Sequence, residues 1–139
     1  MVVVDESESD IALVGRRLYA ALDAQDWSRL DRLISPGLVV QVGSGSAMGS
    51  TEWRRNQEAF YRGFPDGRHI IEDTVVDHDR FVTRCRFTGT HTGFFVDLAP
   101  TGKTVSVGVI HIDRFDQGLL VEHYGQLDMH GLRQQLTAV

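Results

Sequence analysis

Asp128, His111 and His91 are the side chains whose type and placement best suit proton transfer. Residues 119–129 read as a strand, in which successive side chains point to opposite faces. One face carries Leu120, Glu122, Tyr124, Gln126 and Asp128; the other carries Leu119, Val121, His123, Gly125, Leu127 and Met129. The first face is polar and aromatic near its end, which is odd for a core. Directed into a cavity, it puts Asp128 on an apolar wall, where desolvation raises a carboxyl pKa toward the range of a general acid or base. The competing reading is an aspartate at a strand end that caps a helix turn at Gly131. Alternation alone favours the cap.

Two histidines compete for the same cavity. In residues 80–92, Phe81, Thr83, Cys85, Phe87, Gly89 and His91 share a face, opposite Arg84 and Arg86. The arginines mark solvent or an oligomer contact, so His91 is expected inside unless a bulge at Gly89 reverses it. His111 shares a face with Val105, Val107 and Val109. An inward histidine beside an inward aspartate makes a usable proton-transfer pair, although a lone histidine on an apolar face is more often a satisfied core residue. His69, His78 and His130 stand near element ends and are expected at the surface.

Other chemistries find no support. The six histidines show no His-x-His or His-Glu-x-x-His spacing and no cysteine partners, so no metal centre is expected. The stretch Gly43-Ser44-Gly45-Ser46 lacks the Gly-Lys-Ser/Thr of a phosphate loop and the fifth-position glycine of a nucleophile elbow. Cys85, the single cysteine, cannot form an internal disulfide and reads as a small apolar strand residue.

The elements that must position these groups follow from periodicity. Ile11, Val14, Leu18 and Ala21 recur at helical spacing, predicting a helix over 10–24 with Ser7 or Ser9 as cap. Asp26 caps a short second helix carrying Trp27, Leu30, Leu33 and Ile34, which Ser35-Pro36-Gly37 stops. Residues 38–42 read as a short strand. Ser50 or Thr51 caps a third helix whose one face carries Trp53, Gln57, Phe60, Tyr61 and Phe64. Phe60 and its aromatic neighbours are core by default and double as lining for a flat apolar ligand. Strands are then expected over 69–77, 80–92, 103–115 and 119–129, with a closing helix turn at 131–136. Helices followed by an antiparallel meander give an α+β fold: a curved, mixed but mainly antiparallel sheet, a cone-shaped barrel wrapped around the N-terminal helices. Its open end is a natural pocket.

Composition agrees with a single domain. The chain has 139 residues, 42% apolar and 24% charged, with a net charge of −5. Residues 1–9 read as a flexible N-terminus and 10–139 as one domain. No basic stripe serves a phosphate backbone, so nucleic acid is not an expected partner. No apolar run is long enough for a membrane span, and the N-terminus lacks the pattern of a signal peptide, so a cytoplasmic protein without a membrane partner is expected.

The segments Phe64-Pro65-Asp66, Gly89-Thr90-His91-Thr92-Gly93, Pro100-Thr101-Gly102-Lys103, Val109-Ile110-His111-Ile112, Glu122-His123-Tyr124-Gly125-Gln126-Leu127-Asp128 and Gln134-Gln135-Leu136 occur in this order. Together they resemble the SnoaL-like polyketide cyclases, of the nuclear-transport-factor-2-like or ketosteroid-isomerase-like superfamily. The resemblance spans roughly residues 10–137. It implies ring closure of a polyketide by intramolecular aldol condensation, without metal or cofactor. It also implies that Asp128, at the position matching the family's last-strand aspartate, is the general acid/base. His111, His91 or Gln126 would then hydrogen-bond the enolate or alkoxide. Tyr19 and Asn56 fall where the family's helices line the pocket, and Tyr124 stands where the family often has Trp. The substrate would be an apolar, polyketide-like small molecule, and the protein a homodimer paired through the outer sheet face.

Two other readings stay open. A cyclase working by pocket shape alone, in cycloaddition or epoxide opening, would keep its rate without an acid/base residue. A non-catalytic ligand-binding or dimerising module would hold Asp128 in backbone hydrogen bonds with no cavity beside it.

Overall fold

The computed structural model describes residues 6–139, with side chains from residue 10 onward. The order is α1 (Glu6–Asp23), α2 (Trp27–Leu33), β1 (Ile34–Val42), α3 (Ser50–Gly63), β2 (Arg68–Asp77), β3 (Arg80–Thr90), β4 (Thr104–Asp116), β5 (Leu119–Leu127) and α4 (Met129–Thr137). The helix expected from residue 10 already begins at Glu6, and the cap expected at Ser7 or Ser9 lies outside the described side chains. Asp26 does cap α2, its carboxylate accepting from the Arg29 N–H at 3.1 Å. α3 instead has Gly49 as its N-cap, with no side-chain hydrogen bond there.

One sheet, ordered β1-β5-β4-β3-β2, carries the fold. β1 runs parallel to β5 and every other pairing is antiparallel. The sheet curves over the helices but does not close, so β1 and β2 remain its edges and the expected barrel is an open one. α1 packs on β2 and β3, α2 on β1 and β5, and α3 on β1. β4 outruns β5 at one end, and α4 covers that stretch: Gln135 bonds the Ser106 N–H at 2.8 Å and the Ser106 carbonyl at 3.0 Å.

Alternation assigns the faces of β3 and β4 cleanly. Phe81, Thr83, Cys85 and Phe87 of β3 are buried, as are Val105, Val107, Val109, His111, Asp113 and Phe115 of β4. The outer face exposes Ile110, Ile112 and Tyr124, each between 41% and 48% accessible.

The β4–β5 hairpin turns through Gln117 and Gly118, with φ of 51° and 77°, the left-handed pair that a tight hairpin of matching twist requires. Asp116 pairs with Leu119 and Phe115 with Leu120, but Arg114 pairs with Glu122. Val121 is thus an extra residue, a β-bulge, and it inverts the facing of everything after it. Without the bulge Asp113 would face Glu122; with it, Asp113 faces His123 and His111 faces Gly125.

Candidate active site

A cavity of about 200 Å³ lies between α3, the inner sheet face and the start of α4. Its walls are largely apolar, including Trp53, Phe60, Phe87, Val109 and Leu127. Three histidines, His69, His111 and His123, interrupt them, and Asn56 and Gln57 add the remaining polar groups. Among the described residues no lysine, arginine or carboxylate lines this cavity, and no group of three His, Cys, Asp or Glu has the arrangement a metal ion needs. The three imidazoles are thus the ionisable groups on this wall among the described residues.

Asp113 is fully buried. A buried carboxylate is costly unless its oxygens are paired, and both are: the Tyr19 hydroxyl donates to Oδ2, and His123 Nδ1 meets Oδ1. The Asp113 contact fixes the proton of a neutral His123 on Nδ1 and leaves the Nε2 lone pair free. That Nε2 lies 3.7 Å from where a Cβ on Gly125 would stand, on the cavity side. Burial, and then the Asp113 charge, push the Tyr19 phenol well above its ordinary pKa, so it stays a neutral donor. The His123 ring also packs on Trp53, 5.0 Å between centroids, which holds its plane.

His111 stands beside this pair, 5.0 Å from His123 and 5.1 Å from Tyr19 between ring centroids. Thr83 Oγ1 is 3.5 Å from its Nδ1. Desolvation, and then the neighbouring His123 and His69, hold its pKa well below the ordinary histidine value. At neutral pH it is an uncharged imidazole.

A second set lies across His111. His69 Nδ1 is 2.7 Å from Asp23 Oδ1. Tyr61 donates its hydroxyl to the same oxygen at 2.7 Å, and the His69 backbone N–H reaches Oδ2 at 2.8 Å. The His69 side chain is only 9% exposed, so the surface position expected for it is not what the fold produces. β2 starts at Arg68, and α1 and α3 close over its first residues.

The sequence-derived candidates divide. His111 and Phe60 line the cavity, and Asn56 stands at it with its amide 3.3 Å from Met48 Sδ. Tyr19 is buried beside His111 and donates its hydroxyl to Asp113. Asp128 does not face the cavity. It is exposed, it forms the N-cap of α4, and its Oδ1 accepts the Gly131 N–H at 2.8 Å. The capping alternative is the one realised. Tyr124 and Gln126 lie on the outer face with it, for the same reason: the bulge at Val121 turns His123, Gly125 and Leu127 inward instead. His91 is buried but outside the cavity, its ring 5.4 Å from Phe64 and its Nδ1 accepting the Thr101 N–H at 3.2 Å. It ties down the β3–β4 loop.

Asp113, His123, His69 and Asp23 were not singled out as site residues from sequence. Asp113 continues the alternation that already held Val105, Val107, Val109 and His111, which was a usable signal. Nothing local announces the bulge that aims His123, and Asp23 meets His69 only through the packing of α1 against β2.

The chain resembles known proteins along nearly its whole length. The family profile of SnoaL-like polyketide cyclases matches residues 12–136. AclR of Streptomyces galilaeus, a proposed hydroxylase, is 26% identical with a TM-score of 0.87, over 96% of this chain and 84% of that one. IdmH of Streptomyces antibioticus, a proposed polyketide cyclase, is 26% identical with a TM-score of 0.81, over 91% and 97%. A proposed SnoaL-like cyclase from Jannaschia sp. shares the fold at a TM-score of 0.91 and 22% identity, over 100% and 99%. No functionally curated protein matches. No helix among the described residues is long and apolar enough to cross a membrane. With its family profile matched from one end of the fold to the other, the chain belongs to the SnoaL-like polyketide cyclase family.

Proposed function

We propose that the protein closes a ring in a neutral, apolar polyketide-type molecule by intramolecular aldol condensation, with His123 as the general base. The observation that carries this reading is the buried Asp113–His123 pair, whose imidazole edge meets an apolar cavity. His123 Nε2 takes a proton from an ester-activated carbon, and Asp113 stabilises the imidazolium as its counter-charge. The enolate carbon bonds to the ketone carbon of the same molecule, and the carbonyl electron pair moves to oxygen, which is then protonated. Neutral His111, with the Thr83 hydroxyl turned to its Nδ1, offers Nε2–H to the enolate oxygen. The apolar walls hold both reacting groups within reach and out of water. AclR and IdmH, a proposed hydroxylase and a proposed polyketide cyclase, support an enzymatic use of this fold.

The role of the last-strand aspartate passes to histidine here, since the inward positions of β5 are His123, Gly125 and Leu127. The test is a panel of mono- to tricyclic aromatic esters bearing a ketone placed for six-membered ring closure, incubated in D₂O. Ring closure shifts retention, and base action exchanges the ester-activated C–H for deuterium. His123→Gln is expected to lower the rate about 10²–10⁴-fold, the usual worth of a positioned base. Turnover by that variant at the wild-type rate, or no reaction across the panel, contradicts the proposal. The first result would favour ring closure by pocket shape.

A further inference from the structure

One base accounts for proton removal but leaves the far wall of the cavity without a task. There His69 lines the cavity with Nδ1 committed to Asp23, so the free edge of its ring is Nε2. Asp23 in turn takes the Tyr61 hydroxyl and the His69 backbone N–H. A carboxylate receiving a phenol and an imidazole Nδ1, with the imidazole on the cavity, is the same construction as Tyr19, Asp113 and His123. It is assembled from different elements: α1, α3 and β2 in place of α1, β4 and β5. The two constructions stand on either side of His111, whose ring centroid is 5.6 Å from His69 and 5.0 Å from His123.

Anchoring β2 to α1 does not need an imidazole. The His69 backbone N–H already makes that link to Asp23, and Tyr61 makes another from α3. A ring that both anchors itself and presents its remaining nitrogen to an apolar cavity is built to exchange a proton there.

We infer that His69, held by Asp23 and Tyr61, is a second proton-transfer residue of this cavity and serves a different reacting atom of the substrate from the one His123 serves. This rests on the proposed reading of the cavity and extends it. Aldol closure needs two proton transfers at separated atoms. The carbon gives its proton to His123 Nε2, the carbon–carbon bond forms, and the new alkoxide takes a proton from the His69 imidazolium at Nε2. Each imidazole then exchanges one proton with water, which restores the starting state without any other reactant. Asp23 and Tyr61 are positioning residues. The substrate class is a neutral molecule with an acidic C–H and a carbonyl oxygen on opposite sides of the forming ring.

The probe is 5-nitrobenzisoxazole, a flat neutral bicycle of a size suited to the cavity. A base removes its ring C–H, the N–O bond breaks, and the electron pair ends on a coloured cyanonitrophenolate. The wild-type protein, His123→Gln, His69→Gln and the double variant are compared, with circular dichroism confirming each fold. The expected result is that His123→Gln lowers kcat/KM about 10²–10⁴-fold but leaves a rate above that of buffer, and that His69→Gln added to it takes the remaining rate down to that of buffer. Added imidazole should restore the rate of a His69→Ala, His123→Gln double variant, which a purely structural loss would not allow. A double variant no slower than His123→Gln alone, or no rescue by imidazole, overturns the inference and leaves His123 standing. Loss on His69→Gln with none on His123→Gln overturns the reading of His123 instead. A wild-type rate equal to that of the double variant overturns both.

Discussion

His123 and Asp128 sit five positions apart and so on opposite faces, one toward the cavity and the other toward solvent. A single inserted residue ahead of both decides which face turns inward. Val121 has no partner on β4, so the alternation that starts with buried Leu120 is inverted by the time it reaches His123. Asp128 is left capping α4 through the Gly131 N–H. Asp128→Asn should therefore keep full ring-closing or base activity and near-native stability, because Asn caps as well as Asp. Asp128→Ala should cost about 1 kcal/mol by urea unfolding with kcat still unchanged. Loss of turnover in Asp128→Asn would contradict the placement of chemistry on His123. What the residues revealed beforehand stops at this point. His111 was legible from its valine neighbours, and Asp113 was one step further along the same face. The facing of β5 was not legible, because a bulge is a backbone event decided by pairing and carries no side-chain signature of its own.

At the level of elements, α1 does more than fill the concave face. Gly15, Tyr19 and Asp23 recur every fourth residue and so lie along one side of the helix. A Cβ at Gly15 would stand 2.1 Å from Phe81 Cδ2 on β3, so the missing side chain sets how closely the helix approaches the sheet. Tyr19 then reaches Asp113 and Asp23 reaches His69 from the same helix. Gly15→Ala is expected to lower stability by about 1–3 kcal/mol, the usual cost of overpacking, and to lower kcat by displacing both carboxylate–phenol contacts. Thermal melts and kcat measured on the same sample check this, and a variant as stable and active as the wild type contradicts it. The apolar spacing of α1 announced the helix and its buried stripe. It could not announce the functional side, since Gly15, Tyr19 and Asp23 acquire meaning only from Phe81, Asp113 and His69, distant in sequence. His91 shows the converse: its facing was read correctly, but inward meant the anchored β3–β4 loop and not the cavity.

The whole molecule couples this site to its own stability. His111 is packed among His69, His123, Tyr19 and Thr83, with Asp113 behind Tyr19 and His123. Its folded-state pKa lies well below the ordinary value, through desolvation first and the two histidines second. The unfolded chain takes up that proton as pH falls through about 6.5, while the folded protein does not. The stability tied to neutral His111 is complete above about pH 6.5 and declines below it, by at most about 1.4 kcal/mol per pH unit for one proton. Urea midpoints between pH 7 and pH 5 should fall more steeply for the wild type than for His111→Gln, and equal slopes would contradict the assignment. Architecture was legible at this scale because helices precede a meander of long strands, which leaves few ways to bury both. Whether the sheet closes was not legible, since closure depends on accumulated twist and on where β1 joins, here parallel to β5.

The measurement that bears most directly on His123 as the base is its ring-nitrogen spectrum, recorded by long-range ¹H–¹⁵N correlation on the free protein and with 2-naphthol as a planar enolate mimic. The account predicts a neutral His123 protonated on Nδ1 toward Asp113, with an unprotonated Nε2 whose resonance moves when 2-naphthol binds. A His123 protonated on Nε2, or a ligand that shifts Tyr124, Gln126 and Asp128 while leaving His123 untouched, would contradict it.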